Sequence, residues 1–248
     1  MSCESIRNSF FYGDIMNEIL NRGFAELGIE VPDSACRNLK TYFEYLEEKN
    51  KVMNLTAISG EEDVARLHFL DCAAMLKVLD LKGKRVIDVG TGAGFPGMVL
   101  KILSPDTELV LLDSLNKRID FLSEVCEKLS LEKVSCIHAR AEEAAAEMGG
   151  TFDLAASRAV ARLNVLCELC LPFVKVGGVF VAMKGPDCTE ELKEAENAIK
   201  LLGGRVREVV PYTIPDTDIT HSIVIIEKLK PTHPKYPRKW AQIKKQPL

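Results

Sequence analysis

The spacing of apolar side chains divides this chain into a helical first part and an alternating second part. In the first eighty residues, apolar positions recur every three or four residues, for example from Ile15 to Phe24 and from Leu39 to Leu46, and this period predicts amphipathic helices. From Lys84 onward, short apolar runs alternate with amphipathic stretches, which predicts parallel strands joined by helices. The predicted strands of this part are Val86–Val89, Leu109–Leu112, Val134–His138, Phe152–Ala156 and Val179–Met183.

The end of this alternating part has a different pattern. Val206–Val210 and Ser222–Glu227 are strand-like runs, and the loop between them contains proline and aspartate but no helical stretch. Strands joined without a crossover helix pair antiparallel. The predicted fold class is therefore α/β: a Rossmann-like, mostly parallel seven-stranded sheet that ends in an antiparallel hairpin, as in class I methyltransferases. The predicted division is a helical extension at 1–80, the sheet domain at 81–230 and a tail at 231–248.

Composition narrows the class of protein. Hydrophobic residues make up 47% and charged residues 27% of the chain, which is typical of globular proteins. No run of about 18 residues lacks a charge, so neither a membrane span nor a signal peptide is predicted, and the expected location is the cytoplasm. The eight cysteines are scattered, which favours free thiols. Cys167 and Cys170 have no second Cys or His pair nearby, so no metal site is predicted.

Basic residues are concentrated at the C-terminal end. From His221 onward, seven lysines and arginines stand against Glu227 alone, a net charge of +6, whereas the preceding 220 residues carry −10 of the total of −4. A cationic tail on an acidic body suits contact with a phosphate backbone, with a solvated tail as the alternative.

A glycine-rich turn after the first strand carries the candidate cofactor chemistry. Gly90, Gly92, Gly94 and Gly97 let backbone amides approach a ligand and allow positive φ angles. Their spacing also satisfies the dinucleotide fingerprint, and Asp113, 23 residues after Gly90, stands where a ribose-binding acid is expected. The glycines alone therefore do not separate S-adenosylmethionine from a nicotinamide dinucleotide.

Three further features favour S-adenosylmethionine. Asp88, two residues before Gly90, would face the cationic amino acid part of that cofactor and would repel a pyrophosphate. Glu142, after the third strand, is placed to accept a hydrogen bond from the adenine amine. The terminal hairpin is the third feature. The alternatives are that Asp88 forms a turn and that Glu142 is a helix-start acid.

Several motifs together resemble one family of bacterial enzymes, the rRNA small-subunit methyltransferase G family, also called glucose-inhibited division protein B. The similarity spans nearly the whole chain. It implies transfer of a methyl group from S-adenosylmethionine to the seven-position nitrogen of a guanine in 16S ribosomal RNA, with that RNA or the small ribosomal subunit as partner. The motifs are Asn54-Leu55-Thr56, His68-Phe69-Leu70-Asp71, Asp88 to Gly97, Asp113 to Arg118, Ser157-Arg158-Ala159, Met183-Lys184-Gly185 and Tyr236-Pro237-Arg238-Lys239.

The resemblance also implies site residues. The family's tail usually continues with a glycine after the last of these motifs, whereas Trp240 follows here, so the position of the tail is left open. Asp113 is expected to hold the ribose hydroxyls. The other cofactor contacts implied are Gly90, Phe95, Ala141, Glu142 and Arg158.

Methyl transfer to this nitrogen needs no general base, because it carries an in-plane lone pair and no proton. No catalytic residue is therefore assigned, and His68 is expected to be a packed core histidine. Arg118 and Lys184 follow strand ends, where open α/β sheets bind ligands. The candidates for RNA contact, with solvated or ion-paired side chains as the alternative, are Arg118, Lys184, Arg238, Lys239, Lys244 and Lys245.

Three alternative functions stay open from the sequence, as does the oligomeric state. The enzyme could methylate another RNA. A nicotinamide-dependent oxidoreductase would use the same glycine turn, but no convincing proton-handling pair of side chains accompanies it. A scaffold protein would keep the cofactor site without turnover.

Overall fold

Three helical segments precede the sheet in the computed structural model, which describes residues 15–248. The apolar faces of α1 and α2 turn inward, which confirms the helical period of this part of the chain. The predicted extension begins with residues 1–14, which lie outside the described residues. The segments are α1 (Ile15–Leu27), α2 (Ala35–Met53) and α3, which starts at Glu61–Val64, is π-helical over Ala65–Leu70, returns to α over Asp71–Ala73 and ends as a 3₁₀ turn over Ala74–Lys77.

Seven strands form one sheet with the order β3-β2-β1-β4-β5-β7-β6. Strands β1 to β5 pair parallel, and β7 pairs antiparallel with both β5 and β6. The predicted parallel sheet with a terminal hairpin is thereby confirmed. The strands are β1 (Arg85–Val89), β2 (Glu108–Asp113), β3 (Val134–His138), β4 (Phe152–Arg158), β5 (Val174–Lys184), β6 (Gly204–Thr213) and β7 (Thr220–Lys228).

Strand β5 is longer than its apolar run predicts. It begins at Val174, which pairs with Phe152, and the register shifts before Val179 pairs with Leu154. The irregularity coincides with Gly177 and Gly178, and glycine inside a strand often marks such a bulge.

Helices cover both faces of the sheet. Successive residues of β1 and β2 point to opposite faces, so Val86 and Leu109 belong to one hydrophobic core and Ile87 and Val110 to the other. Such strands, buried on both faces, are the rule in parallel sheets. The remaining helices are α4 (Gly97–Leu103), α5 (Asn116–Lys128), α6 (Ala141–Met148), α7 (Leu163–Cys170), α8 (Thr189–Leu201) and α9 (Trp240–Lys245).

The N-terminal helices share one core with the sheet. Leu20 of α1 and Leu39 of α2 are fully buried in the same cluster as Leu111 of β2 and Leu122 of α5. The described part of the extension is therefore packed on the sheet domain. None of the helices within residues 15–248 is both long and apolar enough to cross a membrane.

Tyr42 joins the helical extension to the glycine-rich turn. Its side chain is fully buried, and its hydroxyl donates a hydrogen bond to the carbonyl oxygen of Ala93. Its ring lies 5.6 Å from that of Phe69 and 5.7 Å from that of Phe95, between centroids. One side chain of α2 thus fixes the turn that follows β1.

We expect Tyr42→Phe to lower the free energy of unfolding by about 1 to 3 kcal/mol, because the buried Ala93 carbonyl loses its donor. Equilibrium unfolding in urea measures this loss. Tyr45→Phe is the matched control on the same helix, since its hydroxyl bonds the half-exposed carboxylate of Glu124 and its loss is expected to stay within about 0.5 kcal/mol. An equal loss in both variants would contradict the role given to Tyr42.

Candidate active site

Two adjoining cavities lie at the carboxyl ends of β1, β2 and β4. The first has a volume of about 450 Å³ and the second of about 290 Å³. They are two halves of one cleft, because Gly90, Asp113, Ser114 and Val160 line both. The strand order reverses between β1 and β4, and open parallel sheets bind ligands at such a point. Seven of the nine predicted cofactor contacts line the cleft: Gly90, Gly92, Phe95, Asp113, Ala141, Glu142 and Arg158.

Asp113 lies between the two halves of the cleft, at the end of β2. Its Oδ1 accepts a hydrogen bond from the Leu115 amide at 2.9 Å. Its Oδ2 accepts from the Gly92 amide at 2.9 Å and from Arg118 Nη1 at 3.2 Å. The carboxylate therefore ties the glycine-rich turn to β2 and remains at the cleft, where a ligand hydroxyl can reach it.

The glycine-rich turn has no room for side chains at two positions. At Gly90, φ is +73° and an added Cβ would lie 2.7 Å from Cγ2 of Val160. At Gly94, φ is +106° and an added Cβ would lie 2.5 Å from the Tyr42 hydroxyl. The positive φ angle and the lack of space for a Cβ both require glycine at these two positions. The turn can therefore pack tightly against its neighbours while its backbone lines the first cavity.

Asp88 lies beneath the turn and is fully buried. Its Oδ2 accepts hydrogen bonds from the Thr91 hydroxyl at 2.7 Å and from the Gly97 amide at 2.8 Å. Its Oδ1 has no hydrogen-bond partner among the described residues. Burial raises the pKa of Asp88 to about 6. The carboxylate thus fastens the two ends of the turn, and its contact with the amino acid part of a cofactor stays a prediction.

Phe95, His68 and Arg158 form the wall at one end of the cleft. The His68 ring stacks on the Phe95 ring with 4.1 Å between centroids. The Arg158 guanidinium lies 4.9 Å from the centroid of the same ring, a favourable cation–π distance. The end of β4 is thereby joined to both the glycine-rich turn and α3.

Hydrogen bonds fix the tautomer of His68. Its Nδ1 lies 2.8 Å from Arg158 Nη2 and must accept, because a guanidinium only donates. Its Nε2 then donates to the Thr56 hydroxyl at 2.9 Å. Burial and the charge of Arg158 lower the pKa of His68 to about 3, so the ring is neutral. His68 is packed, as predicted, but it also lines the cleft.

Asp71 is the centre of a buried polar network behind this wall. Its Oδ2 lies 2.9 Å from Arg158 Nη1, and its Oδ1 accepts from the Tyr212 hydroxyl at 2.6 Å and from His221 Nδ1 at 2.8 Å. Burial acts to raise the pKa of Asp71, but these hydrogen bonds and the Arg158 charge outweigh it and hold that pKa below its ordinary value. The hydrogen bond to Asp71 raises the pKa of His221.

A third cavity of about 480 Å³ lies on the other side of the same wall. His68, Arg158 and Ala159 line both this cavity and the first one. A ligand in the cleft and a ligand in the third cavity would therefore both contact these three residues. The remaining lining residues are Ile58, Leu67, Asp71, Met183, Lys184, Gly185, Ile214, Ile219 and His221.

Comparison with known proteins identifies the family. A family model described as rRNA small subunit methyltransferase G matches residues 35–220. The chain belongs to that family. The Ribosomal RNA small subunit methyltransferase G of Alkaliphilus metalliredigens is 51% identical over 233 residues, which are 93% of this chain and 98% of the relative. That of Clostridium tetani is 45% identical over 240 residues, or 96% and 99%.

Solved structures with low sequence identity share the fold. TYW2 of M. jannaschii, solved in complex with AdoMet, has a TM-score of 0.52 at 14% identity and covers 64% of this chain and 75% of its own. A SAM dependent methyltransferase from Aquifex aeolicus has a TM-score of 0.50 at 20% identity and covers 66% and 93%. The predicted class I methyltransferase fold is confirmed.

Family membership confirms the prediction of an S-adenosylmethionine-dependent methyltransferase. It excludes the alternative of a nicotinamide-dependent oxidoreductase with the same glycine spacing. The fold agrees, since the sheet ends in the predicted antiparallel hairpin. The glycine spacing alone did not distinguish these two classes of enzyme, and the role of the glycine-rich turn in binding the cofactor stays a prediction.

Three of the six predicted RNA contacts are engaged within the methyltransferase itself. Arg118 pairs with Asp113, and Lys184 Nζ lies 2.7 Å from Glu191 Oε2. Arg238 pairs with the buried carboxylate of Glu168. The other three candidates have exposed side chains, namely Lys239, Lys244 and Lys245.

Four residues of the polar network around His68 and Asp71 were not predicted from the sequence. Thr56 and Asp71 stand in quoted motifs, but nothing in the sequence pairs Thr56 with His68 or Asp71 with Arg158 of β4. Tyr212 and His221 belong to the hairpin and reach Asp71 only through the pairing of β5 with β7. The contacts of Tyr212 and His221 with Asp71 span more than a hundred positions of the chain, which no local pattern reveals.

We expect Asp88→Asn to flatten the dependence of stability on pH between about pH 4 and 6. The folded pKa of Asp88 is about 6 against an ordinary value of 3.8. Asp88 therefore binds more protons in the folded state than in the unfolded state in this window, and its contribution to wild-type stability falls as pH rises through it, by on the order of 3 kcal/mol. Urea unfolding across this range measures the change.

Asp120→Asn serves as the control for Asp88→Asn. Asp120 lies exposed on α5, so the wild-type slope should persist in this variant. A slope that persists equally in Asp88→Asn would contradict the raised pKa of Asp88.

Proposed function

We propose that this methyltransferase transfers the methyl group of S-adenosylmethionine to the seven-position nitrogen of a guanine in 16S ribosomal RNA, free or within the small ribosomal subunit, in the cytoplasm. Family membership supports the RNA and the reaction. The observation that carries the proposal is the third cavity, which shares a wall with the cofactor cleft.

The residues of the cleft fit the proposed cofactor. Gly90 lines the cleft without a side chain, and an added Cβ there would press against Val160. Asp113 offers carboxylate oxygens at the junction of the two halves. S-adenosylmethionine supplies an electrophilic methyl group on a sulfonium when it is bound. The residues of the cleft that would hold it are Gly90, Gly92, Phe95, Asp113, Ala141, Glu142 and Arg158. Asp88 and Gly94 line neither half of the cleft and would support the turn from beneath.

The third cavity suits a purine base. Ile58, Leu67 and Met183 give it apolar walls, and Lys184 and His221 add hydrogen-bonding groups. Ligand sites in proteins combine largely apolar surfaces with a few polar groups that orient the ligand. A guanine held here would meet the cofactor where the two cavities adjoin, at His68, Arg158 and Ala159, which line both.

The enzyme's own contribution to this reaction is alignment. The seven-position nitrogen carries a lone pair and no proton, so no side chain has to remove one. Holding the base and the methyl group in line can contribute roughly 7 to 11 kcal/mol to lowering the barrier. The buried network of Asp71, Arg158 and His68 gives the residues that line both cavities the rigidity that this alignment requires.

The charges around the third cavity suit a cationic product. Methylation makes the guanine ring positive, and an uncompensated cation beside it would oppose the reaction. Both permanent cations that line the cavity are paired, Arg158 with Asp71 at 2.9 Å and Lys184 with Glu191 at 2.7 Å. The developing charge therefore meets a nearly neutral wall.

RNA contact outside the cavities is assigned to exposed cations. Lys239, Lys244 and Lys245 are exposed near the cleft, since Trp240 of the same segment lines its second half. Arg118 and Lys184 line the first and third cavities and are proposed to contact the substrate there. Arg238 remains a weaker candidate, because Glu168 already binds its guanidinium.

Methyl transfer to RNA tests the proposal directly. Purified enzyme is incubated with tritiated S-adenosylmethionine and either naked 16S RNA or intact small subunits that lack the modification, and the RNA is then digested to nucleosides. We expect label in 7-methylguanosine, at one nucleotide, with less transfer as the salt concentration rises, because phosphate contacts release counterions. Label in another nucleoside, or none on either substrate from enzyme that binds S-adenosylhomocysteine, would refute it.

Two variants accompany this assay. Lys184→Ala removes a cation that lines the third cavity and is expected to reduce transfer. Lys200→Ala removes an exposed lysine of α8 that lies outside the three cavities and is expected to keep wild-type transfer.

His221 gives the reaction a pH dependence. Its hydrogen bond to Asp71 raises its pKa, so it becomes protonated at a higher pH than an ordinary histidine. The protonated ring faces Asp71, Arg158 and Tyr212 and adds a positive charge. Asp71 is the carboxylate that offsets this charge, and it already neutralises the charge of Arg158. We therefore expect transfer to fall as pH drops through the raised pKa, and His221→Gln to move this fall to lower pH.

Single-turnover transfer at a saturating concentration of cofactor, across about pH 5 to 8, measures this effect. Glutamine keeps an N–H donor for Asp71, so folding is checked by urea unfolding at the same pH values. Identical pH profiles for wild type and His221→Gln would contradict the role of His221 in this pH dependence.

A further inference from the structure

We infer that Trp240, which the C-terminal segment 236–248 carries to the cleft, is part of the cofactor site and forms an aromatic wall against the adenine ring of the cofactor. The inference rests on the proposed cofactor cleft but not on the identity of the RNA or of the methylated atom.

The second half of the cleft has the properties of an adenine pocket. Its volume is about 290 Å³, near the lower end of the range for small-molecule sites. Val89, Leu112 and Leu169 give it apolar walls, and the Glu142 carboxylate supplies an acceptor. Among residues 15–248, Trp240 is the one aromatic side chain that lines it. A pocket with apolar walls, an aromatic side chain and the Glu142 carboxylate as acceptor favours a purine with an exocyclic amine.

Two anchors hold Trp240 in place. Before it, the Arg238 guanidinium binds Glu168 of α7 through Nε at 2.8 Å and Nη2 at 2.6 Å, and the Arg238 amide also donates to Glu168 at 2.8 Å. After it, Ile243 is fully buried in the core formed by α7 and α8. The indole is thereby held between a buried ion pair and a core residue.

The ion pair between Arg238 and Glu168 fixes the position of the C-terminal segment. Glu168 is fully buried, and a buried carboxylate requires a partner that satisfies its oxygens. Arg238 satisfies both oxygens of Glu168 and donates to the carbonyl of Gln246 as well. It therefore ties the end of the chain to α7, and α7 also contributes Leu169 to the pocket. Arg238 acts on the cofactor through Trp240, as a positioning residue.

The fluorescence of the wild-type protein tests this inference, because Trp240 is its only tryptophan. We expect titration with S-adenosylhomocysteine to quench the emission, with the half-point at the Kd measured by calorimetry. Homocysteine, which lacks the adenine, should leave the emission unchanged. Calorimetric binding without a change in emission would overturn the inference while leaving the proposed cofactor in place, whereas absence of binding would overturn both.

Substitutions at Trp240 provide the second measurement. Trp240→Ala should weaken S-adenosylhomocysteine binding about 5- to 100-fold, the range of an aromatic–base stacking contact. Trp240→Phe should restore most of the affinity, since a phenyl ring also stacks. Gln242→Ala, an exposed position of the same helix α9, is the matched control and should bind as tightly as wild type. Equal affinity for Trp240→Ala and wild type would overturn the inference.

A double-mutant cycle tests the positioning role of Arg238. Arg238→Ala should weaken binding and shift the emission of the unliganded protein to longer wavelength, because the indole becomes more solvated. In the Trp240→Ala background, the same change should have little further effect on affinity, since the two act through one contact. Additive losses would show a general structural role for Arg238 and would overturn its role as a positioning residue, and urea unfolding of each variant checks that it is folded.

Discussion

The burial of the Arg158 guanidinium at the end of β4 is the constraint on which the rest of the site depends. A buried cation needs a carboxylate and further acceptors, because desolvation otherwise costs several kcal/mol. Asp71, His68 and the Leu67 carbonyl supply them, and all three belong to α3. The helical extension must therefore sit against the carboxyl edge of the sheet, and the cofactor turn is held between them by Tyr42 and Phe95.

The same network explains how one wall serves two cavities. Arg158 and His68 line both the cleft and the proposed base pocket, whereas Asp71 lines only the pocket. His68 is neutral because burial and Arg158 lower its pKa to about 3, and Asp71 offsets the charge of Arg158. A reaction that generates positive charge on the base suits a wall whose cations are already paired, and it needs no proton acceptor there.

The sequence predicted the fold and much of the cleft, and it did so where the signal is local. Strand β1, the glycine-rich turn and Asp113 follow each other within one βαβ unit, so periodicity and spacing reveal them. The polar network is different, since Asp71 meets Tyr212 and His221 across 141 and 150 positions of the chain. The tail shows the same limit: its charge suggested RNA contact, but Arg238 is bound to Glu168, 70 positions away.

What the sequence by itself determined is the βαβ alternation, the glycine turn that two classes of cofactor share, and the motifs that place the chain in its family. These depend on side-chain period and backbone freedom, which neighbouring residues fix. The tertiary structure alone decided which charges are paired, that three cavities share walls, and that Trp240 reaches the cleft. Pairing and cavity shape depend on which distant segments pack together, and packing is a property of the whole core rather than of any one segment.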